Sequence, residues 1–142
     1  MITFQSLNLE KYQYEPQYIS YLSSLNKFLT NFLPKIKHTH VFLTGSFIKG
    51  KLHEGSDLDL DIVHPDIKET EVIKINIDGV NIEYATFSLK MIEKKISGEI
   101  HYDHPDLLAN AVSHWKMIAG DYFPSELVDK ERRFKKISSL CP

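Results

Sequence analysis

Apolar residues recur with different periods along the chain, and each period predicts an element. From Pro16 they fall at three- and four-residue steps: Ile19, Leu22, Leu25, Phe28 or Leu29, and Phe32. That spacing lines one face of an α-helix. Pro34 ends it, because proline lacks a backbone donor and clashes with the preceding turn. Residues 40–44, His-Val-Phe-Leu-Thr, are rich in β-branched and aromatic side chains and predict a short buried strand. Gly45-Ser46 breaks that run. Residues 46–51 fit one helical turn closed by Gly50, and Gly55-Ser56 marks a second turn.

Asp57-Leu58-Asp59-Leu60-Asp61-Ile62-Val63 follows, with strict alternation. A strand there puts Leu58, Leu60 and Ile62 on one face and three aspartates on the other, and His64-Pro65-Asp66 stops it. Residues 71–77 and 80–86 alternate on either side of Asp78-Gly79, a dipeptide suited to the type I′ hairpin turn. Residues 88–96 predict a helix capped by Ser88. Residues 105–118 predict another, with Pro105 in its first turn, Leu107 or Leu108, Ala111, Trp115 and Ile118 on its apolar face, and Gly120 as its C-cap. A last helix covers 124–139. Residues 1–14 bear tyrosines but show no period. The order of elements predicts an α/β (α+β) fold, a small mixed β-sheet with helices packed on it.

The 142 residues suit one domain spanning 1–142, with C-terminal helices over 105–139. With 17 Lys+Arg against 19 Asp+Glu the net charge is −2, so no global positive field attracts nucleic acid, and that partner is disfavoured. Cys141 stands alone, which excludes an intrachain disulfide and a thiolate zinc site. The start, Met1-Ile2-Thr3-Phe4-Gln5, lacks a signal-peptide pattern, and no apolar run is long enough to span a bilayer. The expectation is a cytoplasmic protein without membrane contact.

Two patterns suggest chemistry. Three carboxylates on one strand face repel one another. Either they are a solvated acidic face, or hard divalent cations such as Mg²⁺ compensate them. Gly45-Ser46, directly after a buried strand, is either a plain loop or a turn whose backbone N–H groups cradle a phosphate. Asp61, last in the row, reads as a solvated strand-end acid or, alternatively, as a group that supports the other two aspartates. The seven histidines, His38, His40, His53, His64, His101, His104 and His114, form no pair at helical ligand spacing beside a carboxylate. The basic run Lys130, Arg132, Arg133, Lys135 and Lys136 reads as a solvated helix face. The aromatics of 18–32 and Trp115 read as core packing rather than a base-stacking platform.

Gly45-Ser46, ten residues, then Asp57-Leu58-Asp59-Leu60 resembles the signature of the DNA polymerase β-like nucleotidyltransferases. The string Thr44-Gly45-Ser46-Phe47-Ile48-Lys49-Gly50 is similar to that of the small bacterial, antitoxin-like members. The resemblance covers residues 38–90 well and 105–121 loosely. It implies the nucleotidyltransferase fold, with Gly45, Ser46, Lys49 and Ser56 on the nucleotide. It also implies Asp57, Asp59 and a later-strand carboxylate, Glu83, as catalytic ligands of two Mg²⁺ ions. Many small members carry arginine where this chain has Lys49, which gives up the bidentate fork. The implied reaction moves a nucleoside monophosphate, AMP from ATP, to a hydroxyl acceptor. A partner protein, as in toxin–antitoxin pairs, is one acceptor, and 142 residues leave little room for a separate acceptor domain. Two alternatives stand beside it: a small-molecule acceptor, as in the aminoglycoside-modifying relatives, and a module of the same fold that binds nucleotide or partner without catalysis. Association with a second copy is compatible with all three.

Overall fold

The computed structural model describes residues 1–64, 69–88, 90 and 116–119. A short 3₁₀ turn, Glu10–Tyr12, leads into helix α1, Pro16–Lys27. Pro16 occupies the first helical turn, where its missing N–H costs nothing. The helix then widens into a π turn, Phe28–Phe32, and tightens into a 3₁₀ turn, Leu33–Lys35. Pro34 offers no N–H to this stretch, and the backbone re-pairs around it, with Leu33 N–H donating to Phe28 O five residues back.

Five strands follow: β1 His40–Thr44, β2 Leu58–Val63, β3 Glu71–Ile77, β4 Val80–Phe87 and β5 Lys116–Ala119. They form one mixed sheet in the order β3-β4-β2-β1-β5. β2 and β4 run parallel, and the other neighbours are antiparallel. The hairpin turn forms as its sequence requires, with φ of 51° at Asp78 and 86° at Gly79.

α1 and its extension cover one face of the sheet. Tyr18, Tyr21, Leu25 and Phe28 pack with Val41 and Leu43 of β1, Leu58, Leu60 and Ile62 of β2, and Ile82 and Tyr84 of β4. Leu25, Phe28, Leu43, Leu58, Ile62 and Ile82 are fully buried. Each contributes about 1.5–3 kcal/mol relative to an exposed position.

Three expectations need correction. The buried stripe of α1 is rotated from the expected one: Ile19 and Phe32 are 46% and 41% exposed, and the stripe runs instead through Tyr18 and Tyr21, which are buried as expected of packing aromatics. The tyrosines take that face because their hydroxyls find backbone partners at the far side of the core. The helix expected over 105–118 does not reach its end, since Lys116–Ala119 is the edge strand β5, paired with β1. Hydrogen bonds to an unpaired sheet edge decide three residues, 116–118, that periodicity had added to a helix. Asp61 is 7% exposed, not solvated, because it lies between Phe42 of β1 and Ala85 of β4 in the middle of the sheet. The helices expected over 88–96 and 124–139, residues 105–115 and Gly120 lie outside the described residues, apart from Ser88 and Lys90.

A candidate metal and phosphate site

The sheet register assembles the site. Asp59 of β2 lies beside Glu83 of β4 in the parallel ladder, and beside Thr44 of β1 in the antiparallel one. Glu83 in turn faces Lys74 of β3. One row across four strands therefore reads Thr44, Asp59, Glu83, Lys74, on the face opposite α1. Asp57 comes two residues before Asp59, which returns it to that face at the mouth of β2. One carboxylate oxygen from each of Asp57, Asp59 and Glu83 falls within 4.8 Å of the other two, and all three residues are half-buried. Among the described residues this is the group of acids, histidines and cysteines that converges so closely, and no histidine joins it.

Such a cluster costs free energy while it is charged and bare. The Asp59 carboxyl is pushed up to about 6 by burial first, then by the charges of Glu83, Asp57 and Asp61, with Lys49 acting against the rise. A dication removes that penalty, and an all-oxygen donor set of this size suits Mg²⁺ or Mn²⁺. The donors present fit the metal that the sequence leads one to expect.

The phosphate-side turn is built against the same aspartate. Gly45 follows Thr44 and leaves the sheet with φ of 84°. A Cβ there would collide with Asp59 Oδ2 and lie 3.0 Å from its Cγ. Only glycine lets the backbone pass this close to the carboxylate. The chain then makes one helical turn, with Lys51 N–H donating to Ser46 O at 2.8 Å and Gly50 N–H to Phe47 O at 3.1 Å. Ser46 is half-buried, and Lys49 is exposed on this turn.

Ser56 is placed differently. It is buried, its Oγ accepts from His53 N–H at 3.0 Å, and its carbonyl accepts from the Tyr21 hydroxyl. It shapes the turn that delivers Asp57 and does not lie on the open face.

Sequence reasoning did not anticipate the hairpin's part. Asp57, Lys74, Asn76, Asn81 and Glu83 line a cavity of about 340 Å³ beside the carboxylates. Asn76 Nδ2 donates to Asn81 Oδ1 at 2.9 Å across the hairpin. The signal was available in the alternation of 71–77, which puts Lys74 and Asn76 on the acidic face once Glu83 is placed there.

A carboxylate cluster able to hold a divalent metal thus lies beside a glycine-led turn, on a mixed sheet backed by a helix. A family model described as "Nucleotidyltransferase domain" matches residues 22–136. The chain belongs to that nucleotidyltransferase family. No curated protein sequence matches it. Among the described residues no helix is long and apolar enough to cross a membrane.

Proposed function

We propose that this chain transfers a nucleoside monophosphate, AMP from ATP, to a hydroxyl acceptor. The convergence of Asp57, Asp59 and Glu83 beside Gly45-Ser46 carries the reading. Two Mg²⁺ ions held by these carboxylates would supply charge neutralisation for the triphosphate and for the acceptor oxygen. Gly45 admits the phosphate chain to the backbone, the Ser46 hydroxyl donates to it, and Lys49 adds a positive charge from the exposed side of the turn. Asp57 and Asp59 take the nucleotide side, and Asp59 and Glu83 the acceptor side. The acceptor hydroxyl gives its proton to solvent, its oxygen bonds to the α-phosphorus as the α–β bridging bond breaks, and pyrophosphate leaves. ATP and Mg²⁺ as substrates accord with a cytoplasmic location.

The acceptor hydroxyl belongs to a partner protein in the reading that follows from likeness to the antitoxin-like members. The cavity lined by Lys74, Asn76 and Asn81 favours a second reading, a small-molecule acceptor, since about 340 Å³ lies within the range of small-ligand sites. Incubation with α-labelled ATP and Mg²⁺ tests the function, with labelled product identified by mass. Label on a co-expressed protein supports the first acceptor, and label on a small hydroxyl compound the second. Asp57→Ala and Asp59→Ala should each abolish transfer and pyrophosphate release. Full activity in both variants overturns the assignment.

A further inference from the structure

The ten residues between Ser46 and Asp57 join the phosphate-side turn to the metal-side strand. Beyond one helical turn they form no regular element, so their backbone polar groups need partners elsewhere. Residues 12–21 supply four. The Tyr12 hydroxyl donates to Gly50 O at 3.0 Å, and the Tyr18 hydroxyl accepts from Leu52 N–H at 3.2 Å. Gln17 Nε2 donates to His53 O at 2.8 Å, and the Tyr21 hydroxyl donates to Ser56 O.

The rings of the same residues hold the other end. Phe47, the residue after Ser46, is fully buried, with its ring centroid 5.8 Å from that of Tyr18 and 6.1 Å from that of Tyr21. Tyr12 stacks on Tyr18 with centroids 4.2 Å apart and planes 7° from parallel.

We propose that Tyr21 is a positioning residue for the transfer site, a strut whose ring seats the turn carrying Ser46 and whose hydroxyl fixes the peptide that carries Asp57. The carbonyl of Ser56 and the nitrogen of Asp57 share one rigid peptide plane. Holding that carbonyl therefore sets the direction in which Asp57 leaves the backbone. Asp59 and Glu83 are held by ladder pairing, but Asp57 precedes β2 and has no such support. A phenol suits the task, since it is stiff and has a polar tip at a fixed distance from its ring. Phenylalanine would fill the same space and leave the buried Ser56 carbonyl without its partner. The proposal rests on the reading above for what the site does, but the positioning of residues 50–57 can be measured without it.

The test compares Tyr21→Phe with Ser24→Ala. The latter deletes a hydrogen bond from the same helix to Ile77 O, at the far end of the β3–β4 hairpin. Three quantities are measured on each: the urea midpoint, Mn²⁺ affinity by electron paramagnetic resonance, and amide exchange over residues 50–57. Both variants should lose stability. Tyr21→Phe alone should speed exchange over 50–57 and weaken Mn²⁺ binding about tenfold, the low end for groups that orient metal ligands. Wild-type exchange over 50–57 in Tyr21→Phe, or equal acceleration in Ser24→Ala, overturns the proposal. Wild-type protein that takes no Mn²⁺ would overturn the metal reading instead, and the exchange comparison would then decide the strut by itself.

Discussion

At the scale of single residues, the site turns on contacts between Asp59 and its neighbours. Gly45 and Gly79 have similar positive φ angles, 84° and 86°, but different surroundings. A Cβ at Gly79 meets nothing within 4 Å, whereas at Gly45 it runs into the Asp59 carboxylate. Gly79→Ala should therefore cost only the backbone strain, about 1–2 kcal/mol, and leave Mn²⁺ binding intact. Gly45→Ala should cost more in a urea titration and also weaken Mn²⁺, because Asp59 must move. The raised carboxyl of Asp59 gives a second prediction. Metal binds the deprotonated form, so Mn²⁺ affinity should climb as pH rises through about 6 and level off above it. Glu83→Gln, which removes one of the charges acting on Asp59, should shift that rise to lower pH. A rise unmoved in Glu83→Gln would contradict the cause assigned to it.

At the scale of elements, legibility followed how local the deciding forces are. The limits of β1, the alternation of β2 and the Asp78-Gly79 hairpin rest on period and turn chemistry within a few residues, and they stand in the fold as read. The pairing of Asp59 with Glu83 depends on the parallel β2–β4 register, which no local pattern encodes. The resemblance, which calls for a carboxylate on a later strand, pointed to Glu83 all the same. Elements decided at a distance were misread. β5 exists because β1 offers an edge, and the α1 stripe is shifted off Ile19 and Phe32 because backbone groups of 50–56 await the hydroxyls of Tyr18 and Tyr21. The hydroxyls were the unused signal, since core packing alone would be served by phenylalanine. Phe47 is the joint between helix and turn, and Phe47→Ala should destabilise by about 3–5 kcal/mol in denaturant unfolding. By contrast the Lys27–Asp78 ion pair is half-exposed on both sides, and Lys27→Ala should change stability by less than about 1 kcal/mol.

At the scale of the whole molecule, the face of the sheet under α1 is given to cohesion, and the opposite face carries the carboxylates of Asp57, Asp59 and Glu83. The folded protein holds the Asp59 proton up to about pH 6, above the ordinary aspartate value of 3.8. Its contribution to stability is therefore fully present below about pH 4 and is lost as pH rises through about 6. Metal held by these carboxylates would act in the opposite sense. It would bind the folded chain above pH 6, and at a concentration 100 times its dissociation constant it should add about 2.7 kcal/mol. Thermal unfolding with and without Mg²⁺ should thus diverge as pH increases from 5 to 8. Coincident curves across that range would mean that the carboxylates do not bind the ion.

In the proposed function, Asp57, Asp59 and Glu83 hold divalent metal against a triphosphate seated on Gly45-Ser46. Anomalous diffraction from crystals grown with Mn²⁺ and a non-hydrolysable ATP analogue tests it most directly. Manganese should be bonded to all three carboxylates, with the β- and γ-phosphates against Gly45 and Ser46. Manganese absent from that cluster, or a triphosphate bound on another face of the sheet, would contradict it.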